Sequence, residues 1–439
     1  MSPYQLLSQQ IHANIANTPR KAAYRINGQD TTYAEMDQMA TSIATAITQQ
    51  LPAEAITRER PVRIGILLPR NSHFIACILA CVKLGCSYVP IDIATPPERL
   101  NFILGDSQLD FLINTGNLPT LIEATPQSQL PCLHKTLSEA YLIYTSGTTG
   151  KPKGVSQTYL TIYNYMQRAM QPDDIHVTPG STVLQFASIS FDVSVMEIFV
   201  TLYAGCTCVI AQTDDKQDAR RLYQLLQHEA ITFCYLPPSL LAMFPDYNFP
   251  AMQTLSAGGE AIPHSLVSKI VGHYPFRFVN GYGPTESFYA TTYVIPDEAH
   301  WRCIGAPVPG VIGYVVDENL QPVTPGQQGE LLLGGNQLCN GYWNRPELNK
   351  SQFIGIRNEE LGMRNGYRAA FSVSNPHSSF LIPNSPIRLY RTGDIVLLNP
   401  DGTYDYIGRR DSQVKLRGYR IELEEITARI ESPPRVRRA

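Results

Sequence analysis

The chain has 439 residues, of which 44% are hydrophobic and 17% are charged, and its formal net charge is -3. This length exceeds one ordinary hydrophobic core, so we expect two or three packed subdomains. The slightly acidic charge balance, without a basic stripe, argues against nucleic acid as a partner. The apolar run 74–82 is too short to cross a bilayer, and residues 1–10 lack the layout of a signal peptide. The sequence therefore predicts a cytoplasmic protein without a membrane partner.

The nine cysteines form no C-x-x-C pair, which argues against a disulfide framework and a zinc site. Cys77 and Cys81 lie one helical turn apart in an apolar segment, and Cys206 and Cys208 lie in another. We expect reduced cysteines that pack in the core.

Helix and strand signals alternate along most of the chain. Thr32 and Glu35 form a capping box ahead of apolar residues at helical spacing. An apolar run at 62–68 predicts a strand, and a helix is predicted over 71–84. Further strands are predicted at 182–187, 207–211, 231–236 and 276–279, with a helix over 217–229. This order predicts an α/β protein in which helices cover parallel sheets.

The pattern changes after about residue 305. Short alternating segments at 313–316 and 329–333 are broken by proline and glycine, which predicts a small antiparallel sheet or barrel. The stretch 342–390 includes a run rich in asparagine, serine and proline at 372–386. We expect this stretch to form a surface loop.

The segment 144–154 combines three glycines, four aliphatic hydroxyls and two lysines. Glycines let backbone N–H groups approach an anion, hydroxyls donate hydrogen bonds and lysine adds positive charge. The spacing excludes a P-loop, because only two residues separate Gly147 from Gly150 and Lys151 precedes Pro152. The segment predicts a phosphate-binding loop, with an ordinary polar surface loop as the alternative.

Other polar residues follow apolar runs. Asp192 comes directly after an apolar stretch, and 280–286 combines two glycines, a tyrosine, a threonine and a glutamate. The second set is suited to stacking a base and holding a metal-bound phosphate. Taken singly, these segments, the 391–394 turn and the charged 408–418 segment could each be ordinary loops.

Taken together and in this order, these segments resemble the adenylate-forming superfamily of acyl-CoA synthetases, luciferases and nonribosomal peptide synthetase adenylation domains. Segments 32–35, 83–92 and 329–335 extend the resemblance. Segment 83–92 and the Phe191–Ser194 element are similar to peptide synthetase adenylation domains or D-alanine carrier-protein ligases in particular.

The resemblance implies a fold class and domain boundaries. It implies an α/β protein whose large N-terminal lobe has two helix-covered β-sheets and a small distorted β-barrel. The adenylation core would cover residues 1–410, with the barrel at about 305–410. Residues 411–439 would begin a C-terminal lobe, most of which lies beyond this chain.

The resemblance also implies a reaction that needs ATP and Mg²⁺. A substrate carboxylate attacks the α-phosphorus of ATP, which gives an acyl adenylate and pyrophosphate. Positioning and electrostatics would supply most of the acceleration. In the second half-reaction, a phosphopantetheine thiol on a carrier protein takes the acyl group.

The nucleotide site follows residue by residue from the resemblance. Tyr282 would stack on adenine, Asp394 and Arg409 would bind the ribose, and Asp411 would be the hinge of the C-terminal lobe. Thr145 and Glu286 would be catalytic and would bind magnesium. The implied ATP-binding residues are Thr145, Ser146, Gly147, Thr148, Thr149, Lys153, Gly259, Glu260, Ala261, Asn280, Gly281, Tyr282, Gly283, Thr285, Asp394 and Arg409.

Asp192 implies an amino acid substrate, because a buried carboxylate is costly unless it meets a cation such as an α-ammonium group. The alternative is that Asp192 merely caps a helix. No residue of the implied side-chain pocket is charged, which predicts a neutral amino acid. Tyr235 and Tyr289 could narrow this pocket or hydrogen-bond a polar substrate. The pocket residues are Val193, Met196, Tyr235, Ser256, Gly258, Gly281, Tyr289 and Ala290.

Two departures from the family matter. The family carries a lysine near the end of its C-terminal lobe, and this chain stops before that position, so we expect a truncated or interrupted core with impaired activity. Glu424 stands where peptide synthetase domains commonly have glycine, which keeps a D-alanine or other amino acid carrier-protein ligase as an alternative. An acyl- or aryl-CoA ligase, and a fragment that binds nucleotide without efficient chemistry, are further hypotheses.

Overall fold

The computed structural model describes residues 1–133, 139–147, 151–356, 386–411, 413–416 and 419–421, together with 426 and 430. The α-helices are α1 Pro3–Asn17, α2 Tyr33–Gln50, α3 Ala53–Thr57, α4 Ser72–Leu84, α5 Pro97–Asp106, α6 Leu118–Ile122, α7 Tyr159–Ala169, α8 Asp192–Ala204, α9 Thr213–Gln217, α10 Ala219–His228, α11 Pro238–Leu241, α12 His264–Ile270 and α13 Pro346–Gln352. The strands are β1 Ala22–Ile26, β2 Gln29–Thr32, β3 Arg63–Leu67, β4 Ser87–Ile91, β5 Phe111–Asn114, β6 Glu139–Thr145, β7 Lys153–Thr158, β8 Thr182–Gln185, β9 Thr207–Ile210, β10 Phe233–Leu236, β11 Thr254–Gly258, β12 Arg277–Tyr282, β13 Thr291–Val294, β14 Cys303–Gly305, β15 Val311–Val316, β16 Gln328–Gly335, β17 Gly341–Tyr342, β18 Phe353–Ile356, β19 Ile387–Leu398, β20 Tyr404–Arg409, β21 Val414–Leu416 and β22 Tyr419–Ile421.

Two mixed sheets and their helices form the larger part of the fold. The first has the order β13-β12-β11-β10-β8-β9-β1-β2 and is parallel except at its outer pairs β12–β13 and β1–β2. The second has the order β17-β7-β6-β4-β3-β5, in which β5, β3, β4 and β6 are parallel. Helix α1 packs on α7 and α8, and α2 packs on α4. One hydrophobic cluster includes residues of both sheets and these helices, so the sheets share a core.

The third sheet is antiparallel and curls into a half-barrel. Its order is β14-β20-β19-β16-β15, and β18 pairs with β19. The predicted architecture of two helix-covered sheets and a small distorted barrel is therefore confirmed. Strand β17, inside the range expected for the barrel, instead extends the second sheet by pairing with β7. Strands β21 and β22 pair only with each other among the described residues.

Most predicted elements are present with shifted ends. Thr32 caps α2, where its hydroxyl accepts from the Glu35 N–H at 3.2 Å and Glu35 accepts from the Thr32 N–H at 2.7 Å. The prediction of a surface loop over 342–390 is wrong for the described parts of this stretch, because α13, β18 and β19 occupy its two ends. Apolar Phe353 and Ile356 pair with β19 there. Most of the 372–386 run lies outside the described residues.

The cysteines behave largely as expected. All nine are free thiols, and eight of them are buried, whereas Cys132 is exposed. Within the described residues, no helix combines the length and apolar character needed to cross a membrane.

Candidate functional site

A cleft opens where neighbouring strands of the first sheet end. Strands β11 and β12 are parallel and in register, with Gly258 opposite Gly281, so the residues after both strands emerge at one edge. The cleft spans about 530 Å³, part of which is open to solvent. It contains seven of the predicted nucleotide residues, namely Gly259, Glu260, Ala261, Asn280, Gly281, Tyr282 and Gly283. Five residues that the sequence did not indicate complete its lining, namely Ile262, Trp301, Arg302, Ile304 and Tyr406.

Tyr282 and Asp394 meet at the side of this cleft. The Tyr282 hydroxyl donates to Asp394 Oδ2 at 2.6 Å, and Arg409 Nη1 donates to Asp394 Oδ1 at 3.0 Å. The Asp394 carboxylate is buried, and Arg409 lies opposite it across the β19–β20 pair. Burial, together with the Asp394 charge, raises the pKa of Tyr282 well above its ordinary value. Tyr282 therefore keeps its proton and remains a donor.

Arg409 also contacts the predicted hinge residue. Its Nε and Nη2 donate to the two carboxylate oxygens of Asp411 at 2.7 and 2.6 Å. Gly393 has φ +71°, and a Cβ there would lie 2.8 Å from Arg409 Nη2. One guanidinium thus links the carboxylate predicted to bind ribose to the carboxylate predicted to act as hinge.

The glycine- and threonine-rich segment is the connection of a β-hairpin. Strand β6 ends at Thr145, which pairs with Lys153 at the start of β7. A Cβ on the buried Gly147 would collide with the Lys151 carbonyl oxygen, so the close backbone approach requires glycine. The predicted phosphate ligands Thr148 and Thr149 lie outside the described residues. Among the described residues, the buried Thr145 Oγ1 has no hydrogen-bond partner.

Lys153, Glu286 and Tyr342 form a buried cluster beside this hairpin. Tyr342 donates to Glu286 Oε1 at 2.6 Å, and Lys153 Nζ lies 3.3 Å from the same oxygen. Lys153 Nζ also donates to the Tyr342 hydroxyl at 3.1 Å and lies 4.3 Å from its ring centroid. Glu286 is fully buried. A carboxylate is stable in this position because a cation and a hydroxyl contact it.

The turn before Glu286 is held from β7. Gln157 Nε2 donates to the Thr285 carbonyl at 3.3 Å and to the Gln337 carbonyl at 3.1 Å. Because 280–286 is one short segment, it joins the cleft at Tyr282 to the cluster at Glu286. The same backbone can therefore position groups at both ends of a nucleotide.

The donor set suits magnesium carried by a nucleotide. Among the described residues, no three His, Cys, Asp or Glu side chains converge into a site that would hold a metal alone. Mg²⁺ is usually bound through one or two carboxylates plus substrate phosphates. Glu286 and the Thr145 hydroxyl fit such a shared site, in which the metal would neutralise charge that develops on the phosphates.

Three of the predicted substrate residues, Asp192, Val193 and Met196, lie on α8. Asp192 is the first residue of this helix, and the N-cap is Phe191, so Asp192 is not the cap itself. The expectation that Asp192 is buried is wrong, because the residue is half-buried at the start of the helix. Burial, and to a smaller extent the negative charge of Asp192, raises the pKa of three tyrosines well above the ordinary value. These tyrosines are Tyr141, Tyr235 and Tyr289.

Two glycines bring the tyrosines close to the strand ends. A Cβ on Gly258 would lie 2.8 Å from the Tyr235 hydroxyl, and a Cβ on Gly281 would lie 2.8 Å from Tyr289 Cε1. Ser256 Oγ is buried and has no hydrogen-bond partner among the described residues. Met196 and Val193 belong to the same apolar surroundings as Tyr235 and Tyr289. Ala290 instead packs in the cluster that contains Tyr282.

Comparison with known proteins decides the family. Residues 11–343 match the family described as AMP-binding enzyme. The chain belongs to the AMP-binding enzymes. The segments up to residue 343 that carry the sequence resemblance are thus part of a shared domain rather than separate loops, and the resemblance to peptide synthetase adenylation domains is confirmed.

Curated relatives of this AMP-binding enzyme include two peptide synthases. Tyrocidine synthase 2 from Brevibacillus parabrevis is 36% identical over 393 residues, which cover 85% of the chain and 10% of the relative. Gramicidin S synthase 1 from Brevibacillus brevis is 34% identical over 443 residues, which cover 96% of the chain and 37% of the relative. The chain therefore spans much less than two thirds of these relatives.

Solved structures show the same fold. An artificially fused adenylation–PCP di-domain from Klebsiella oxytoca, NpsA-ThdA, matches with a TM-score of 0.80 at 22% identity. The match covers 98% of this AMP-binding enzyme and 84% of that chain. The N-terminal subdomain of Klebsiella oxytoca NpsA, in complex with 3-hydroxyanthranilyl-AMSN, matches with a TM-score of 0.74 at 22% identity, over 92% and 99% of the two chains.

The site of the AMP-binding enzyme includes residues that sequence reasoning missed. Tyr342 contacts Glu286, and Gln157 contacts the Thr285 carbonyl, so both touch residues predicted to bind MgATP. Trp301, Arg302 and Tyr406 line the cleft. The one sequence feature that could have indicated Trp301 and Tyr406 is their aromatic character, which suits contact with a base. No local pattern indicates Tyr342, because its contact with Glu286 joins positions 56 residues apart.

Proposed function

We propose that this AMP-binding enzyme activates a neutral amino acid with ATP and Mg²⁺. The products would be an aminoacyl-AMP and pyrophosphate, and the aminoacyl group would then form a thioester with the phosphopantetheine arm of a carrier protein. The observation that carries the proposal is that Asp192 begins α8 and that its charge acts on Tyr235 and Tyr289, which pack against glycines at the ends of β11 and β12.

ATP would bind along the 280–286 segment. Adenine would stack on Tyr282 between that segment and 259–261, and the ribose hydroxyls would meet Asp394 and Arg409. Thr145, Lys153 and Glu286 would face the phosphates and magnesium. Lys153 and Glu286 contact each other at 3.3 Å, so the phosphates and magnesium would exchange part of this contact for their own.

Asp192 supports an amino acid rather than a fatty or aryl acid. An α-ammonium group is a cation that this carboxylate can bind beside its tyrosine neighbours, and the opposite end of the substrate would point towards the nucleotide. The pocket residues Val193, Met196, Tyr235 and Ser256 carry no charge. A charged substrate side chain would be buried beside them without a counter-ion, which favours a neutral amino acid.

A carrier protein is the proposed acceptor. The peptide synthase relatives and the fused adenylation–PCP protein support this part of the proposal. A D-alanine carrier-protein ligase remains the second candidate, and the residue that favours it, Glu424, lies outside the described residues.

The test uses the 439-residue chain with MgATP. Calorimetric binding and pyrophosphate exchange are measured with the proteinogenic amino acids, D-alanine, a fatty acid and benzoate. We expect a neutral amino acid to bind and Asp192→Asn to weaken that binding by roughly tenfold or more, with little change in MgATP affinity. Preference for D-alanine would select the second candidate. Responses to fatty acid or benzoate alone, or full amino acid affinity in the variant, would refute the proposal.

A further inference from the structure

Glu197 is a fully buried carboxylate that none of the predicted roles uses. It lies on α8, five residues after Asp192, between two buried apolar residues. Burial of a carboxylate is costly unless several donors contact it. The groups that donate hydrogen bonds to Glu197 therefore show which segment of the chain it stabilises.

The hydrogen bonds to Glu197 come from the end of β8 and from its connection to α8. The Ala187 N–H donates to Oε1 and Oε2 at 3.2 and 3.1 Å, and Gln185 Nε2 donates to Oε2 at 2.9 Å. Gln185 Nε2 also donates to the Ala187 carbonyl at 2.8 Å. This connection leads directly to Phe191 and Asp192. Glu197 thus holds the segment that delivers Asp192 to the pocket.

Two residues that follow strands of the second sheet, Arg70 and Asp92, contact the same connection. Arg70 Nη1 donates to the Phe186 carbonyl at 2.6 Å. The Asp92 N–H donates to Ser190 Oγ at 3.2 Å, and Ser188 Oγ donates to Asp92 Oδ2 at 3.4 Å. Residues that follow strands of the second sheet therefore hydrogen-bond the start and the end of the connection. Glu197 accepts hydrogen bonds from the part between them.

We propose that Glu197 is a positioning residue for the substrate ammonium group, because it fixes the β8–α8 connection and with it the carboxylate of Asp192. This inference rests on the proposed function, in which Asp192 binds that ammonium group. Glu197 itself does not touch the substrate. Its loss should weaken amino acid binding much more than nucleotide binding.

The protonation of Glu197 supplies an independent readout. Burial raises its pKa from 4.5 to about 7, although the N–H groups of Ala187 and Phe186, Gln185 and the charge of Arg70 oppose this shift. Among the described residues, other titratable groups on which the charge of Glu197 acts are Lys216 on α9, Cys208 on β9, Cys234 and Tyr235 on β10, and Tyr289.

The two pH dependences have opposite signs. Above about pH 7 the carboxylate accepts the hydrogen bonds of the connection, so amino acid affinity should be higher there and fall as the pH falls through 7. The folded state binds this proton more tightly than the unfolded state, so its contribution to stability decreases as the pH rises from about 4.5 to 7. A purely structural role predicts only the second trend.

The experiment compares the wild-type chain with Glu197→Gln. Amino acid and MgATP dissociation constants and urea unfolding are measured from about pH 5.5 to 8.5 with the proteinogenic amino acids as probes. At about pH 8 we expect amino acid affinity to fall roughly tenfold, with little change in MgATP affinity. The pH dependence of amino acid affinity near 7 should disappear.

Asp174→Asn is the matched control, since Asp174 is another buried carboxylate whose pKa burial raises. It should alter stability and leave amino acid affinity and its pH dependence unchanged. Wild-type affinity and pH profile in Glu197→Gln would overturn the inference, and so would equal losses for both ligands. If Asp192→Asn retains full amino acid affinity, the proposed function fails as well. If Asp192→Asn loses affinity and Glu197→Gln does not, the proposed function stands and only this inference fails.

Discussion

Removal of the Tyr342 hydroxyl tests whether the buried cluster around Glu286 serves MgATP. Tyr342→Phe keeps the ring, which contacts Phe353 at a centroid distance of 5.5 Å and Lys153 at 4.3 Å. It deletes the 2.6 Å hydrogen bond to Glu286 Oε1 and the 3.1 Å hydrogen bond from Lys153. The change therefore alters the polar contacts of the carboxylate and the ammonium group while the ring packing stays in place.

The expected magnitude follows from the burial of Glu286. A hydrogen bond to a charged group contributes roughly 1.5–3 kcal/mol, and about 1.4 kcal/mol corresponds to a factor of ten in affinity. The contact of Oε1 with Lys153 at 3.3 Å remains and keeps the carboxylate paired. We expect the loss to be shared, with the free energy of unfolding reduced by roughly 1 kcal/mol and the MgATP dissociation constant raised roughly tenfold.

Calorimetric titration of MgATP and urea unfolding measure these two effects. Tyr247→Phe is the control, because it removes a buried tyrosine hydrogen bond of 2.9 Å to the Leu241 carbonyl, away from the cluster. The control should lose stability without losing MgATP affinity. Unchanged MgATP affinity in Tyr342→Phe, alongside the expected loss of stability, would refute the assignment of the cluster to nucleotide binding.

Two further substitutions test other parts of the structure. Arg409→Lys cannot donate to Asp394 and both oxygens of Asp411 with the same geometry, so MgATP affinity should fall roughly tenfold by calorimetry. An unchanged affinity would contradict the role of Arg409 beside the ribose. Arg63→Met leaves the buried Glu139 without its cation, and urea unfolding should show a loss of roughly 3–5 kcal/mol. Adding Glu139→Leu to Arg63→Met should recover part of the lost free energy of unfolding. If nothing is recovered, the loss comes from altered packing and not from the unpaired carboxylate.

Local sequence patterns predicted much of the secondary structure because helices and strands have their own periodicity and end signals. The Thr32 and Glu35 box begins α2 as expected, and α10 and strands β8, β9, β10 and β12 lie within a few residues of the predicted segments. The 342–390 stretch was predicted poorly, since its polar composition obscured β18. That strand depends on pairing with β19, a partner that a local pattern does not include.

The sequence by itself determined the family, through motifs whose order is preserved along the chain, and it indicated the nucleotide residues by resemblance. Only the tertiary structure showed that Tyr342 contacts Glu286 and Lys153, that Arg409 joins Asp394 to Asp411, and that Glu197 holds the connection before Asp192. The physical reason is that a motif specifies a local backbone and a type of side chain. The partners of a buried charge are chosen by the packing of elements that are distant in sequence, and those partners set its protonation and its orientation.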